Sequence, residues 1–472
     1  MIEIEFVGAA QTVTGSKHLI HTPQGDILLD CGLFQGHRKE ALEKNKKTTF
    51  DFKKICAVVL SHAHIDHSGA LPLLYKQGYR GPVYTTFATR DLCAPMLMDT
   101  ASILKSDSDH IQKKIARGNK NLEPVEPLYD DDDVRGILSQ MVGLSYHRTI
   151  NLTSNVNLTF FDAGHVLGSS ICVLDIKDNG GKNMRLAFTG DLGRPHLPIL
   201  RDPEVPTDIT HLLMESTYGD RLHDPIEETG AALAKIIKET VARRGKIVIP
   251  SFALERSQEL IYKLKDLLKQ QKIPDIPVYV DSPLAVKLTD VFRLHPECFD
   301  KKAFEMLQHK DNPFEFPTLH YVTSVEDSKR IDADDEPCIV ISASGMCEGG
   351  RVLHHLEHSV TDSKNSIVIV GFQAQHTLGR RIVEKQPMLR IYGTEYELKA
   401  EVHVLNGFSA HADQKGLVDF AVQANKTGSL QNIFLVHGEE KSQNALIEKL
   451  KEQGFKNVQA PAPGDKVMLT TN

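Results

Sequence analysis

The chain is poor in the features that mark membrane, secreted and coat-like proteins. Among its 472 residues there is no apolar run of the length and purity of a transmembrane helix, for which about 20 consecutive apolar residues are needed. Residues 2–10, IEIEFVGAA, alternate like a strand and lack the charged start and apolar plug of a signal peptide, so a cytoplasmic protein with no membrane partner is expected. The seven cysteines are scattered without a CxxC pair and read as reduced structural residues. A net charge of −7 argues against a general nucleic-acid coat, although a sum says nothing of a local basic cleft. No GK[ST] follows the glycine-rich turns, which argues against ATP binding, and there is no fixed-period repeat or low-complexity tail.

What is present is a habit of apolar runs ending in polar turns. GDILLDCG puts Asp30 at such an end and CAVVLSHAHIDH puts a whole cluster there. LTFFDAGH does the same for His165, RLAFTGDLG for Asp191, HLLMEST for Glu215 and NIFLVHGEE for His437. Short apolar runs bounded by turn residues fit buried strands, and polar groups gathered at strand ends suit a layered α/β fold with its site along one edge of the sheets. A second block repeats a strand-turn-helix design in KIVIPSFALERSQELIYKLKDLLK, PVYVDSPLAVKLTDVF, PCIVISASGMCEGGRVLHHLEH and NSIVIVGFQAQHTLGRRIVEK. Such units imply a parallel sheet covered by helices on both faces. The expected division is 1–219, then an inserted domain at 220–408, then 409–472 returning to the first domain. The polar stretch 103–135, with its four consecutive aspartates, reads as an exposed helix and loop.

His62, His64, Asp66 and His67 follow directly on a strand, and Ser68 to Pro72 read as a helix start. Four donors within six residues cannot all enter one core; a turn can aim His62 and His64 at one cation, Asp66 and His67 at another. Imidazole and carboxylate are ligands that zinc prefers. His165 and Asp191 add a further histidine and a carboxylate at strand ends. Asp191 has two oxygens and can bridge two cations, which a histidine cannot do, and metals about 4 Å apart share a nucleophile and offset phosphoryl charge. Asp30 reads either as support for the site by hydrogen bonding or as a turn-capping aspartate.

Taken in order, Asp30, HAHIDH, His165 and Asp191 resemble the successive motifs of the metallo-β-lactamase superfamily. Glu215 in MESTYGD, His411 in GFSAHADQ and His437 in LVHGEE resemble the three further motifs of its β-CASP branch, which processes nucleic acids. The resemblance implies an αββα sandwich with an inserted β-CASP domain, a parallel sheet flanked by helices. It implies two zinc ions, one held by His62, His64 and His165, the other by Asp66, His67 and His437, with Asp191 between them. It also implies His411 as general acid and Glu215 as its orienting partner, a pairing that is chemically sound because a carboxylate fixes a histidine's tautomer and raises its basicity. Histidine at the third motif is similar to RNA-processing members, and the SHAHIDHSG wording is similar to the messenger 3′-end cleavage endonucleases and their bacterial and archaeal relatives rather than to the RNase J group. The chain ends at Asn472, soon after His437, so RNA is expected to be gripped by the two domains themselves. The implied activity is hydrolysis of single-stranded RNA, endonucleolytic in preference to 5′-to-3′ exonucleolytic, with a homodimer left open.

In the second block Ser344 and Gly345 end a strand, and Gly349, Gly350 and Arg351 open a helix. Backbone N–H groups of a glycine-rich turn at a helix start form an anion nest, to which Arg351 can add a charge; glycines there also serve plain steric needs. Ser409 and Ala410, just before His411, are further candidates for the scissile phosphate. Arg256 either faces the substrate or pairs with Glu259, and the pairs Arg243–Arg244 and Arg380–Arg381 read as solvated surface. A DNA nuclease, a small-molecule hydrolase of thioesterase or glyoxalase II type and an inactive RNA-binding scaffold are the alternatives. His437 disfavours the first, the inserted domain with Glu215, His411 and His437 disfavours the second, and the complete donor set disfavours the third.

Overall fold

The computed structural model describes residues 2–36, 38–47, 49–117, 124–177, 181–223, 226–371 and 373–470. Contacts divide the chain into two units: Met1–Pro195 with Asp202–Leu222 and His411–Asn472, and His196–Arg201 with His223–Ala410.

The first unit is an αββα sandwich. One seven-stranded sheet runs in the order Lys466–Leu469, Ile2–Gly8, Lys17–Thr22, Gly25–Leu29, Ile55–Val59, Val83–Thr86, Met141–Leu144. The other runs Val458–Gln459, Asn432–Val436, His211–Glu215, Asn183–Phe188, Ser170–Lys177, Val156–Asp162, Ile150–Thr153. Alternate side chains explain the layering. Leu213 joins Phe6, Ile20, Phe160, Phe188 and Phe434 in the core between the sheets, while its neighbours Leu212 and Met214 face the opposite way and pack with Leu417, Phe420, Leu446 and Leu450. Those four belong to helices Gln414–Ala424 and Glu440–Glu452, which cover the outer face. Covered on both faces, His211–Glu215 is buried throughout, and its sequence is a continuous run rather than an alternation.

The stretch 103–135 behaves differently from expectation in one part. Its start belongs to the 30-residue helix Phe87–Ala116, which buries Ser108 and Ile111, and its residues 118–123 lie outside the described ones. The aspartate run is not a loop: Asp130 caps helix Asp131–Leu138 by accepting from the backbone of Asp132 and Asp133, where the exposed N–H groups and positive end of a helix favour carboxylates. No helix among the described residues is long and apolar enough to cross a membrane.

The second unit carries a six-stranded sheet in the order Leu319–Tyr321, Val278–Val280, Ile339–Ser342, Ile247–Pro250, Ser366–Ile369, Glu401–Val404, with every neighbouring pair parallel. Four of these strands are the predicted strand-turn-helix units. The two edge strands and the hairpin Met388–Ile391 with Thr394–Glu397 were not foreseen. Residues 196–201 also differ from the expected division, since they join this unit. Ile199 accepts from the Asp300 backbone at 2.7 Å, and Leu200 bridges to Phe299.

At the end of strand Val278–Val280 lies the fully buried Asp281. It accepts from Arg351 Nη1 at 2.6 Å and His355 Nε2 at 2.7 Å, and His355 Nδ1 donates to Asp332 at 2.7 Å. Burial opposes charge on His355, but the bonds to Asp281 and then Asp332 outweigh it and hold its pKa up at about 9. A pKa raised on folding contributes stability that is fully present below the unfolded value, about 6.5, and fades as pH rises through the folded one. Thermal unfolding should therefore show the midpoint falling between pH 6.5 and 9. His355→Gln should flatten that dependence and cost about 3–5 kcal/mol at pH 6, as a broken buried ion pair does. A wild-type midpoint constant over this range would contradict the account.

Candidate metal centre

Each donor sits where a strand hands over to a turn. Asp30 follows strand Gly25–Leu29 with φ +57°, a conformation uncommon for a residue with a Cβ. Its carboxylate is fully occupied: Oδ1 accepts from the Ser61 backbone at 2.8 Å, and Oδ2 accepts from Ser61 Oγ at 2.9 Å, Ser16 Oγ at 3.2 Å and His67 Nδ1 at 2.6 Å. The bond to His67 Nδ1 leaves Nε2 of that ring as the donor atom for a cation. Gly32, two residues on, lets the chain pass close to the cluster, because a Cβ there would stand 1.6 Å from the Asp66 carbonyl oxygen.

The HAHIDH segment departs from expectation in its local structure. The helix begins inside the cluster, at Ile65–Ser68 with His64 as its N-cap, and a second helix, Leu71–Lys76, carries Pro72 in its first turn, where a missing N–H costs nothing. His62 and His64 thus precede the short helix, and Asp66 and His67 ride on it.

Two sets of donors result. In the first, His64 Nδ1 stands 3.1 Å from His62 Nε2 and 3.3 Å from His165 Nε2, and Asp191 Oδ2 is 3.6 Å from both His62 Nε2 and His165 Nε2. In the second, His437 Nε2 is 3.2 Å from His67 Nε2 and 3.4 Å from Asp66 Oδ2. Asp191 Oδ1 lies 3.3 Å from His67 Nε2 and 3.2 Å from His437 Nδ1. A tetrahedron with metal–nitrogen bonds of about 2.05 Å has edges of about 3.3 Å, so His62, His64, His165 and Asp191, and separately Asp66, His67 and His437, are spaced as ligands of a shared cation, while Asp191 Oδ1 meets His437 on its other nitrogen. Asp191 Oδ1 is moreover buried without a hydrogen-bond partner, a costly state for a carboxylate oxygen unless a cation meets it. The donor sets therefore fit metal ions.

The electrostatics of the first set agree. Burial pushes His62 and His165 well below the ordinary histidine range and His64 down to about 4, so these rings are neutral ligands at neutral pH. Burial also works against the charge of Asp191, but the histidines around it, His437 and His67 first, hold its carboxyl well below the usual range. Asp66 is lowered against its own burial by the bond from His437.

Beside these sets, His411 Nδ1 lies 3.0 Å from Glu215 Oε1. Glu215 is fully buried and is held by the Leu192 N–H at 2.7 Å on Oε1 and the Thr217 N–H at 3.3 Å on Oε2. His411 keeps 21 % side-chain exposure. Thr217 is a residue that the sequence reading missed: its Oγ1 is 3.1 Å from His437 Nδ1 and donates to the His437 carbonyl at 3.0 Å, fixing that ring. Its only signal was its place two residues after Glu215, which a threonine near a strand end shares with many others.

The candidate phosphate residues fare less evenly. Asp30, Glu215, His411 and all the metal candidates gather in the first unit, whereas Ser344, Gly345 and Arg351 lie in the second, at the turn after strand Ile339–Ser342. Ser409 and Ala410 end that unit immediately before His411. Arg351 is corrected by the structure: its guanidinium is engaged by Asp281 and by the Thr323 carbonyl at 2.5 Å, so it is an internal tie rather than a loose cation at the turn. Arg256 pairs with Glu259 in a buried ion pair. Arg243, Arg244 and Arg380 pair with Glu401, Glu336 and Glu384, and all seven cysteines are free thiols.

A histidine- and carboxylate-lined centre of this kind on an αββα sandwich defines a metal-dependent hydrolase. Residues 19–182 match the metallo-beta-lactamase superfamily domain, residues 257–382 the Beta-Casp domain, and residues 395–461 the Zn-dependent metallo-hydrolase RNA specificity domain. The chain is 37% identical over 447 residues to ribonuclease TTHA0252 of Thermus thermophilus, covering 95% of each chain. It is 33% identical over 449 residues to transcription termination factor FttA of Methanocaldococcus jannaschii, covering 93% of this chain and 67% of that one. A crystal structure of a protein of unknown function from Enterococcus faecalis shares the fold, with a TM-score of 0.53 at 13% identity over 99% of this chain and 100% of that one. The chain belongs to the β-CASP branch of the metallo-β-lactamase superfamily.

Proposed function

We propose that the protein is a zinc-dependent ribonuclease that cuts internal phosphodiester bonds of single-stranded RNA. The observation that carries this reading is the placement of Asp191, whose Oδ2 faces His62 and His165 while Oδ1 faces His67 and His437, beside the His411–Glu215 pair. The names of the relatives, a ribonuclease and a transcription termination factor, and the RNA specificity domain support RNA as the polymer.

In this reading His62, His64 and His165 hold one zinc ion and Asp66, His67 and His437 the other, with Asp191 joining the two sets. Bound there, the cations supply Lewis acidity for activating water and offsetting charge on the phosphoryl group. The chain's own residues do the rest. Asp30 and Thr217 fix the rings of His67 and His437. Glu215 accepts the Nδ1 N–H of His411, so that His411 presents its other nitrogen as proton donor to the leaving oxygen. Ser409 and Ala410 precede it directly in the chain and are assigned to the scissile phosphate.

Incubation of metal-loaded protein with 5′-labelled single-stranded RNA and matching DNA tests this. Internal fragments from RNA alone are the expected result. Mononucleotides alone would make the enzyme an exonuclease, equal cutting of DNA would make it a general nuclease, and no cleavage of either polymer would return it to small-molecule hydrolysis.

A further inference from the structure

Within the first unit, a cavity of about 420 Å³ opens between the turn after strand Ile2–Gly8, the turn after strand Gly25–Leu29, and helix Leu71–Lys76. Its walls include Phe34 and Phe50, the lysines 17, 44 and 47, and Gln11. It abuts the metal centre through the backbone. The Ala9 carbonyl accepts the His437 N–H at 2.7 Å and Ala10 lines the cavity; Cys31 lines it too and gives its N–H to the His67 carbonyl at 2.7 Å.

Lys17 is the unusual member. It is 9% exposed, and its ammonium meets the Gly32 carbonyl and stands 4.7 Å from the centre of the Phe34 ring. Among the described residues no carboxylate pairs with Lys17 or Lys47, whereas Lys44 pairs with Glu40 at 2.9 Å. A lysine has three N–H donors, and a buried ammonium without an anion is costly. Burial accordingly lowers its pKa, with Cys31 opposing. The Phe34 ring lies against Gly15, where a Cβ would stand 2.6 Å from it and where φ is +75°, so the loop is shaped around the ring. A cavity that combines ring surface, an unneutralised buried cation and a second cation at its rim matches an anionic ligand with a flat ring.

We propose that this cavity binds a nucleoside phosphate, supplied by one nucleotide of the RNA next to the scissile bond, with the base on Phe34 and Phe50 and the phosphate at Lys17 and Lys47. The source, though not the chemistry of the pocket, rests on the ribonuclease reading above. It requires nothing of the metal centre beyond proximity.

The test compares wild type with Lys17→Met, Phe34→Leu and the exposed Lys47→Ala in the metal-loaded protein, using labelled RNA and the minimal diester bis(p-nitrophenyl) phosphate. The expected result is a KM for RNA raised about tenfold in Phe34→Leu, on the scale of one lost base stack, with the ratio of RNA to diester turnover falling by a similar factor. Lys17→Met and Lys47→Ala should each make the salt dependence of log KM shallower by about 0.7, the share of one phosphate on a single strand, and Phe34→Leu should leave it alone. Equal losses on RNA and on the diester, or unchanged KM in all three variants, would overturn the proposal. Fluorescent N-methylanthraniloyl AMP separates the two sources. If a protein that cuts no RNA binds it through Lys17 and Phe34, the nucleotide site stands and the RNA reading falls. If wild type and all three variants bind it alike, the site is wrong whatever the polymer.

Discussion

His411→Ala is expected to keep its metals and to lose about 10²–10⁴ in the rate of RNA cleavage, the range of a removed general acid. The geometry separates His411 from the donor sets: its Nδ1 is directed to Glu215 at 3.0 Å and is 4.0 Å from Asp191 Oδ2. Glu215 cannot turn away, since the N–H groups of Leu192 and Thr217 pin both of its oxygens. Burial disfavours charge on His411, but Glu215 and then Asp191 outweigh it and hold its pKa up at about 9. Bound cations repel an imidazolium and bring that value down toward neutrality, where an acid both holds and releases a proton. Glu215→Gln keeps the shape and removes the charge, so it lowers the His411 pKa and moves the alkaline fall in rate to lower pH. A p-nitrophenolate leaving group needs little protonation, so His411→Ala should lose far less on bis(p-nitrophenyl) phosphate than on RNA. Metal content by mass spectrometry beside kcat on both substrates checks all of this. Normal RNA cleavage by a fully loaded His411→Ala protein would falsify the assignment.

The legible parts of this molecule are those where one short stretch carries both the apolar and the polar signal. GDILLDCG and RLAFTGDLG each contain a buried strand and the carboxylate at its end, so the placement of Asp30 and Asp191 at strand ends could be read before any fold was known. The four strand-turn-helix units were readable for the same reason: their strands, such as Ile247–Pro250 and Ile339–Ser342, are buried throughout and therefore continuous in sequence. The unread parts depend on distant partners. Leu319–Tyr321 and Glu401–Val404 lie at the sheet edges, are only partly buried and are too short to show a period. Residues 196–201 join the second unit through a bridge from Leu200 to Phe299, which no local pattern encodes. Arg351 looked like a loose cation at a glycine turn because its partner, Asp281, is 70 residues away. The helix start at Ile65 was misplaced because the pattern after it, Ser68 to Pro72, is itself a good N-terminal signal, and the structure uses it for the next helix.

Asp191→Ala should be the most damaging single change to the centre, reducing metal content at both donor sets and cleavage to background. Its two oxygens face different histidines, Oδ2 toward His62 and His165 at 3.6 Å and Oδ1 toward His67 and His437 at 3.3 and 3.2 Å. On the proposed two-zinc reading, removing it takes a ligand from each set and also the negative charge that neighbouring cations need to sit close together. His64→Ala touches the first set only, since His64 stands 3.1 and 3.3 Å from His62 and His165, and should empty that set while the second still binds. Asp30→Asn leaves all the donors in place and removes only the charge that orients His67, an outer change that typically costs about 10–100-fold in metal affinity. Metal titration of the three variants against wild type thus yields an order, Asp191 worst, His64 next, Asp30 mildest. The order carries the inference: a carboxylate serving one set alone would make Asp191→Ala and His64→Ala equal, and two full equivalents retained in Asp191→Ala would remove it from both.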